Sequence, residues 1–81
     1  MKITVLLFAQ CRQAAGRDAL ELDIPEGGGT GALWPAIAGA CPALLPFRAT
    51  ARVAVNHSFA TGDAPLRPGD EVALIPPVSG G

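Results

Sequence analysis

Glu71-Val72-Ala73-Leu74-Ile75-Pro76-Pro77-Val78-Ser79-Gly80-Gly81 is the stretch that orders the rest of the chain. Its first five residues form an apolar run suited to a strand. Two prolines then stop any ladder, because neither carries an N–H. Their fixed φ favours an extended exit. The last two residues have no side chain. The expected product is a protruding tail, residues 76–81, stiff at its root and thin at its tip. From Pro77 to Gly81 it reaches roughly 16–18 Å at full extension. That is enough to enter a partner's cleft while the body stays outside. Read as a free carboxylate, Gly81 offers a carbonyl that no Cβ shields, and glycine lets the tip thread a narrow channel. A carboxylate is a poor electrophile. It needs activation, typically as an acyl-adenylate, before sulfur or an amine can attack. A terminal Gly-Gly alone is a weak motif. Strand, double proline and Gly-Gly in succession are more specific. Five residues without a ladder bury too little to fix them, so the tail is expected to order only with a partner bound.

Working outward from the tail, Arg67-Pro68-Gly69-Asp70 puts Pro and Gly at the centre of a type II turn that launches the last strand. Thr61 to Pro65 reads as a loop. Arg52 to Asn56 reads as a strand with Val53 and Val55 inward. Asn56-His57 reads as a turn into a short apolar piece, Ser58-Phe59-Ala60. At the other end of the chain, Lys2 to Ala9 is apolar on both faces, with Ile3, Val5 and Leu7 opposite Leu6 and Phe8. Such a strand belongs in the middle of a sheet. Gln10 to Asp18 reads as a connection holding a helical turn, closed by Gly16. Ala19 to Ile24 alternates, with Leu20, Leu22 and Ile24 inward and Glu21 and Asp23 outward. Pro25-Glu26-Gly27-Gly28-Gly29 ends it.

Thr30 to Cys41 is the one helix expected, with Leu33, Ile37 and Cys41 on one stripe that Leu44 extends. Thr30 is the N-cap candidate. Pro35 fits only a first turn, so this helix must start late or bend. Pro42 ends it, and Pro46-Phe47 continues as irregular chain. For Trp34 core, rim and contact all stay open, core being the commonest place for one aromatic near a helix start. The order is strand, strand, helix, strand, short strand, strand. One helix covers one face of one sheet. The first and last strands are the most apolar and belong side by side at the centre. The fold expected is α+β: a β-grasp, or ubiquitin-like, single domain over residues 1–81, with one mixed sheet under a single main helix.

The composition narrows the function classes. An 81-residue chain has room for one small domain. A net charge of −1 gives no strong pull toward nucleic acid or membrane. Hydrophobic residues make up 49% and charged residues 16%, which argues against disorder. The longest apolar run, Val5 to Ala9, is too short to span a bilayer. Met1-Lys2-Ile3-Thr4 lacks the features of a signal peptide, so a cytoplasmic location is expected. Cys11 and Cys41 stand apart without a CxxC, and no metal site is expected. His57 has no titratable partner nearby in sequence. No acid–base pair or nucleophile constellation is visible.

Phe8-Ala9-Gln10 with Arg12, Ala54-Val55-Asn56, Gly69-Asp70-Glu71-Val72-Ala73 and the tail Pro76 to Gly81 resemble the MoaD/ThiS sulfur-carrier family. Within it they look like the MoaD type, the molybdopterin synthase small subunit. The resemblance runs along the whole chain and is most specific in its last third. Gly27 to Gly29 and Pro35 depart from the pattern. The resemblance implies that a MoeB-type enzyme adenylates the Gly81 carboxylate with ATP, and that a sulfur donor converts it to a thiocarboxylate. It implies that Pro76, Pro77, Val78, Ser79 and Gly80 then enter a MoaE-type large subunit. There sulfur passes to cyclic pyranopterin monophosphate, building the molybdopterin dithiolene. Catalytic side chains are expected on the large subunit, in a heterotetramer of two small and two large subunits. This chain is expected to bind no cofactor itself; ATP serves the activating enzyme.

Three rival readings share the fold. One is the sulfur carrier for thiamine thiazole, whose tail usually lacks Pro-Pro-Val. Another is a ubiquitin-like modifier joined through Gly81 to lysines. The third is a passive binding module, which would still work without Gly80 and Gly81. A last expectation follows from the pattern itself. If one helix covers one face, the apolar residues on the other face, Phe8, Leu6 and Ile75 above all, form a docking face beside the tail root. The alternative is that Ala43 to Thr50 covers them.

Overall fold

The computed structural model describes residues 1–77. Val78, Ser79, Gly80 and Gly81 lie outside the described residues, and with them the expected ordering of the tail and the role given to Gly81.

Five strands form one mixed sheet in the order β2-β1-β5-β3-β4. They are β1 (Lys2–Leu7), β2 (Ala19–Asp23), β3 (Arg52–Val55), β4 (Ser58–Phe59) and β5 (Glu71–Ile75). The two most apolar strands, β1 and β5, run parallel at the centre, pairing Val5 with Val72 and Leu7 with Leu74. On either side β2 and β3 pair antiparallel to them. Ile3, Val5, Leu7, Val72 and Leu74 bury themselves on one face. Leu20, Leu22 and Ile24 join them, as their alternation predicts. Val53 and Val55 turn to the same side and pack against this core half-buried.

The main helix, α2 (Leu33–Ala40), covers that face through Leu33 and Ile37. It starts late. A 3-10 turn, Thr30–Ala32, leads into it, which leaves Pro35 inside the first helical turn, where its missing N–H costs little. Thr30 is not an N-cap. Gly29 holds that position, and the Thr30 hydroxyl bonds across to the loop before β5. It donates to the Gly62 carbonyl at 3.0 Å and accepts from the Ala64 N–H at 3.0 Å. After α2, Pro42–Phe47 forms a 3-10 run rather than irregular chain and buries Leu44. This run packs on α2, on the helix side, so it does not roof the opposite face. Trp34 packs half-buried against the core.

The helical turn expected within Gln10 to Asp18 is a full second helix that starts one residue earlier. Ala9–Ala15 is α1, closed by Gly16 in the left-handed region at φ 71°. The strand therefore ends at Leu7, not Ala9. Phe8 stays extended and Ala9 turns the chain at φ 47°. Only Cys11 of α1 is fully buried, so the segment shows no stripe of apolar residues. The two turns behave as their residues predict. Asn56 and His57 both take positive φ, the signature of a type I′ hairpin, and Gly69 takes φ 88° after Pro68.

Candidate functional site

The root of the tail leaves the centre of the sheet. Strand β5 is laddered on both edges, by β1 and β3, up to Ile75. Pro76 is buried and Pro77 exposed, so the chain crosses to the surface between the two prolines. A surface concavity at this point is lined by Phe8, Gln10 and Gln13 together with Ile75, Pro76 and Pro77. The turn at Ala9, φ 47°, is what brings the start of α1 against the root.

The open face of the sheet carries the rest of the site. Register places Leu6 beside Ala73, and Ala73 beside Ala54, all pointing away from α2. The β3–β4 hairpin then puts Phe59 beside Ala54. With Phe8 and Ile75 these side chains line a shallow concavity of about 300 Å³, rimmed by His57 and Glu71. Phe8 is 47% exposed and Phe59 51% exposed. The three residues expected to share a face, Phe8, Leu6 and Ile75, are thus brought together next to Pro76. Ala54 and Phe59 were not foreseen in this group. The signal was present in the Asn56-His57 turn, which fixes the hairpin register and so the place of Phe59.

Polar contacts hold the far end of this face. Asn56 donates from its side-chain amide to Asp70 Oδ1 at 3.1 Å and accepts from the Glu71 N–H at 3.0 Å. Asp70 Oδ2 accepts from the Arg67 N–H at 2.8 Å. The Arg67 amide, then the Asn56 side chain, hold the Asp70 carboxyl below the usual carboxylate range. His57 is exposed, with Nε2 3.6 Å from Glu71 Oε1. Cys11 is buried and Cys41 half-buried, both as free thiols. Burial pushes the Cys11 thiol up, which makes it less nucleophilic at neutral pH. Among the described residues no group of three or more His, Cys, Asp or Glu side chains could hold a metal ion, and no helix is long and apolar enough to cross a membrane.

A mixed sheet with its first and last strands parallel at the centre, one face under a helix and a proline-rich exit from the central strand, defines a ubiquitin-like β-grasp protein. The chain belongs to the ThiS family, whose model matches residues 5–81. It is 41% identical over 83 residues to the molybdopterin synthase sulfur carrier subunit of Escherichia coli (strain K12), covering 98% of this chain and 99% of that one. It is 36% identical over 81 residues to the subunit of the same name from Arabidopsis thaliana, covering 100% of this chain and 84% of the relative. The crystal structure of SAMP1 from Haloferax volcanii superimposes with a TM-score of 0.89 at 30% identity, covering 100% of both chains.

Proposed function

We propose that this chain is the sulfur carrier subunit of a molybdopterin synthase. The observation that carries the reading is full-length similarity to subunits of that name, in a chain whose Gly80-Gly81 follows a buried, doubly laddered root. An adenylating enzyme of the MoeB type transfers AMP from ATP to the Gly81 carboxylate, releasing pyrophosphate. A sulfur donor then displaces AMP and leaves a thiocarboxylate. Pro76 to Gly80 enter a large subunit of the MoaE type, where the thiocarboxylate sulfur passes to cyclic pyranopterin monophosphate and Gly81 returns to a carboxylate. The catalytic side chains of that transfer belong to the large subunit. ATP is used by the activating enzyme and not bound by this chain. The cytoplasm is the proposed compartment.

The test is an intact mass of the chain after incubation with an activating enzyme, ATP and a sulfur source. The expected gain equals one oxygen replaced by sulfur, located at Gly81 by fragmentation. An unchanged mass with an active activating enzyme would end the carrier reading.

A second reading is favoured by one observation. The solved structures similar to this chain include small archaeal modifier protein 1 of Haloferax volcanii, with a TM-score of 0.85 at 28% identity. A modifier would use the same adenylate but pass Gly81 to a lysine amine. Branched peptides carrying the Gly81 end on lysine, found in digests of cell extract, would establish it. Removing Gly80 and Gly81 abolishes both functions, so that deletion separates them only from a passive binding module.

A further inference from the structure

The open face is electrically polarised along the strands. Its half nearest the tail holds Leu6, Phe8, Ala54, Phe59 and Ile75, and the strands add one charged side chain there, Arg52. Arg52 lies opposite Ile75 in the ladder, and its guanidinium stacks on the Phe59 ring at 4.0 Å from the centroid. The stack fixes the plane of the guanidinium. Arg52 is exposed and, among the described residues, forms no ion pair, so its N–H donors are left for a partner at the rim of the apolar patch. The opposite half has an excess of the other sign, three carboxylates (Glu21, Asp23 and Glu71) against Lys2 and the amino terminus. Register sets Thr4 between Glu21 on β2 and Glu71 on β5. Lys2 stands at the far edge beside Asp23, whose carboxylate also lies 3.8 Å from the amino terminus. The neighbour of Glu71 is His57.

We propose that this polarity sets the orientation in which the face docks. The occupant is a protein surface with an apolar ridge, a carboxylate where it meets Arg52 beside the tail root, and basic side chains where it meets Glu21 and Glu71. The inference rests on the carrier reading above and deepens it. A tail that must enter a channel needs its body set down in one direction. Apolar contact is non-directional, so it holds the face more than it turns it, whereas charges of opposite sign at the two ends favour one direction. Arg suits the tail end because a planar, stacked guanidinium can grip a carboxylate with two N–H donors.

The experiment is stopped-flow association of the full chain with the purified large subunit of molybdopterin synthase, at low and high salt and one fixed pH. The parent's association rate should fall as salt rises. Arg52→Glu and Glu21→Lys should each slow association at low salt by about 5–10-fold and flatten the salt dependence. Arg52→Lys keeps the charge and should associate near the parent rate while dissociating faster. Circular dichroism checks the fold of each variant; both positions are exposed strand residues whose substitution leaves the core intact. A parent that binds, with both reversals associating at the parent's rate, overturns the polarity and leaves the carrier reading standing. A parent that does not bind the large subunit overturns the carrier reading and this inference with it.

Discussion

Single residues explain where the sequence departs from the family pattern. The glycine run is one such place. A Cβ on Gly29 would meet the Asp63 carboxylate and lie 2.6 Å from the Ala64 carbonyl oxygen. That closeness exists because this segment is clasped to the loop before β5. The Thr30 N–H donates to the Ala64 carbonyl at 2.8 Å, and the Gly31 N–H to Asp63 Oδ1 at 2.8 Å. Gly29→Ala must push backbone apart, and it should cost about 1–3 kcal/mol of stability in urea unfolding. An unchanged midpoint would mean that the clasp yields freely. Asp70 gives a pH signature at the same scale. Its folded pKa lies below the unfolded value, held there by the Arg67 amide and then Asn56. Its contribution is therefore present above the unfolded pKa and is lost as pH falls through the folded one. Asp70→Ala should lower the unfolding midpoint at neutral pH, and the gap to the parent should close in acid below the carboxylate range. A gap that persists there would assign the effect to packing and not to ionisation.

Among the elements, those with a strong period were legible in the sequence and those without one were not. Ala19–Asp23 and its follower Ile24 alternate cleanly because one face is buried and one wet. The β1 and β5 strands announce their central place by being apolar on both faces. The α1 helix gave no such sign, since seven residues make barely two turns and only Cys11 reaches the core. Gly16 was its one marker, a left-handed cap. Thr30 misled because a cap signal competes with tertiary bonding, and here the loop before β5 took the hydroxyl. Of the site, Phe8, Leu6 and Ile75 were readable from strand parity; Ala54, Phe59 and Arg52 needed the hairpin register. The tail depends on the same ladder. With β5 held on both edges and Pro76 buried, its length is measured from a fixed origin. Each residue adds roughly 3.3–3.6 Å, while reacting atoms must meet within ångströms. Deleting Gly81, or adding one residue after it, should abolish sulfur transfer and leave the unfolding midpoint unchanged. Full transfer by either variant would end the fixed-reach account.

At the scale of the whole molecule, one helix layer on one sheet leaves a face without cover among the described residues. A chain this small could bury that face only by adding a second layer, and the 3-10 run, the segment the sequence offered for it, packs on α2 instead. The result is an apolar concavity with two exposed phenylalanines directly beside the tail root. Patches of this kind on small proteins mark interaction sites. Here the patch and the tail share a strand, since Ile75 ends β5 and Pro76 follows it. A partner that holds the face therefore also aims the tail. Binding energy in such surfaces concentrates in a few central side chains. Phe8→Ala and Ile75→Ala should each weaken binding to the large subunit by ~2 kcal/mol or more, measured by calorimetry with folding checked by circular dichroism. The loss should fall mainly on dissociation, because neutral contacts form after encounter, whereas reversing Arg52 or Glu21 acts on the encounter itself. If both truncated chains bind as tightly as the parent, the open sheet face is not the docking surface, and the tail alone must hold the complex.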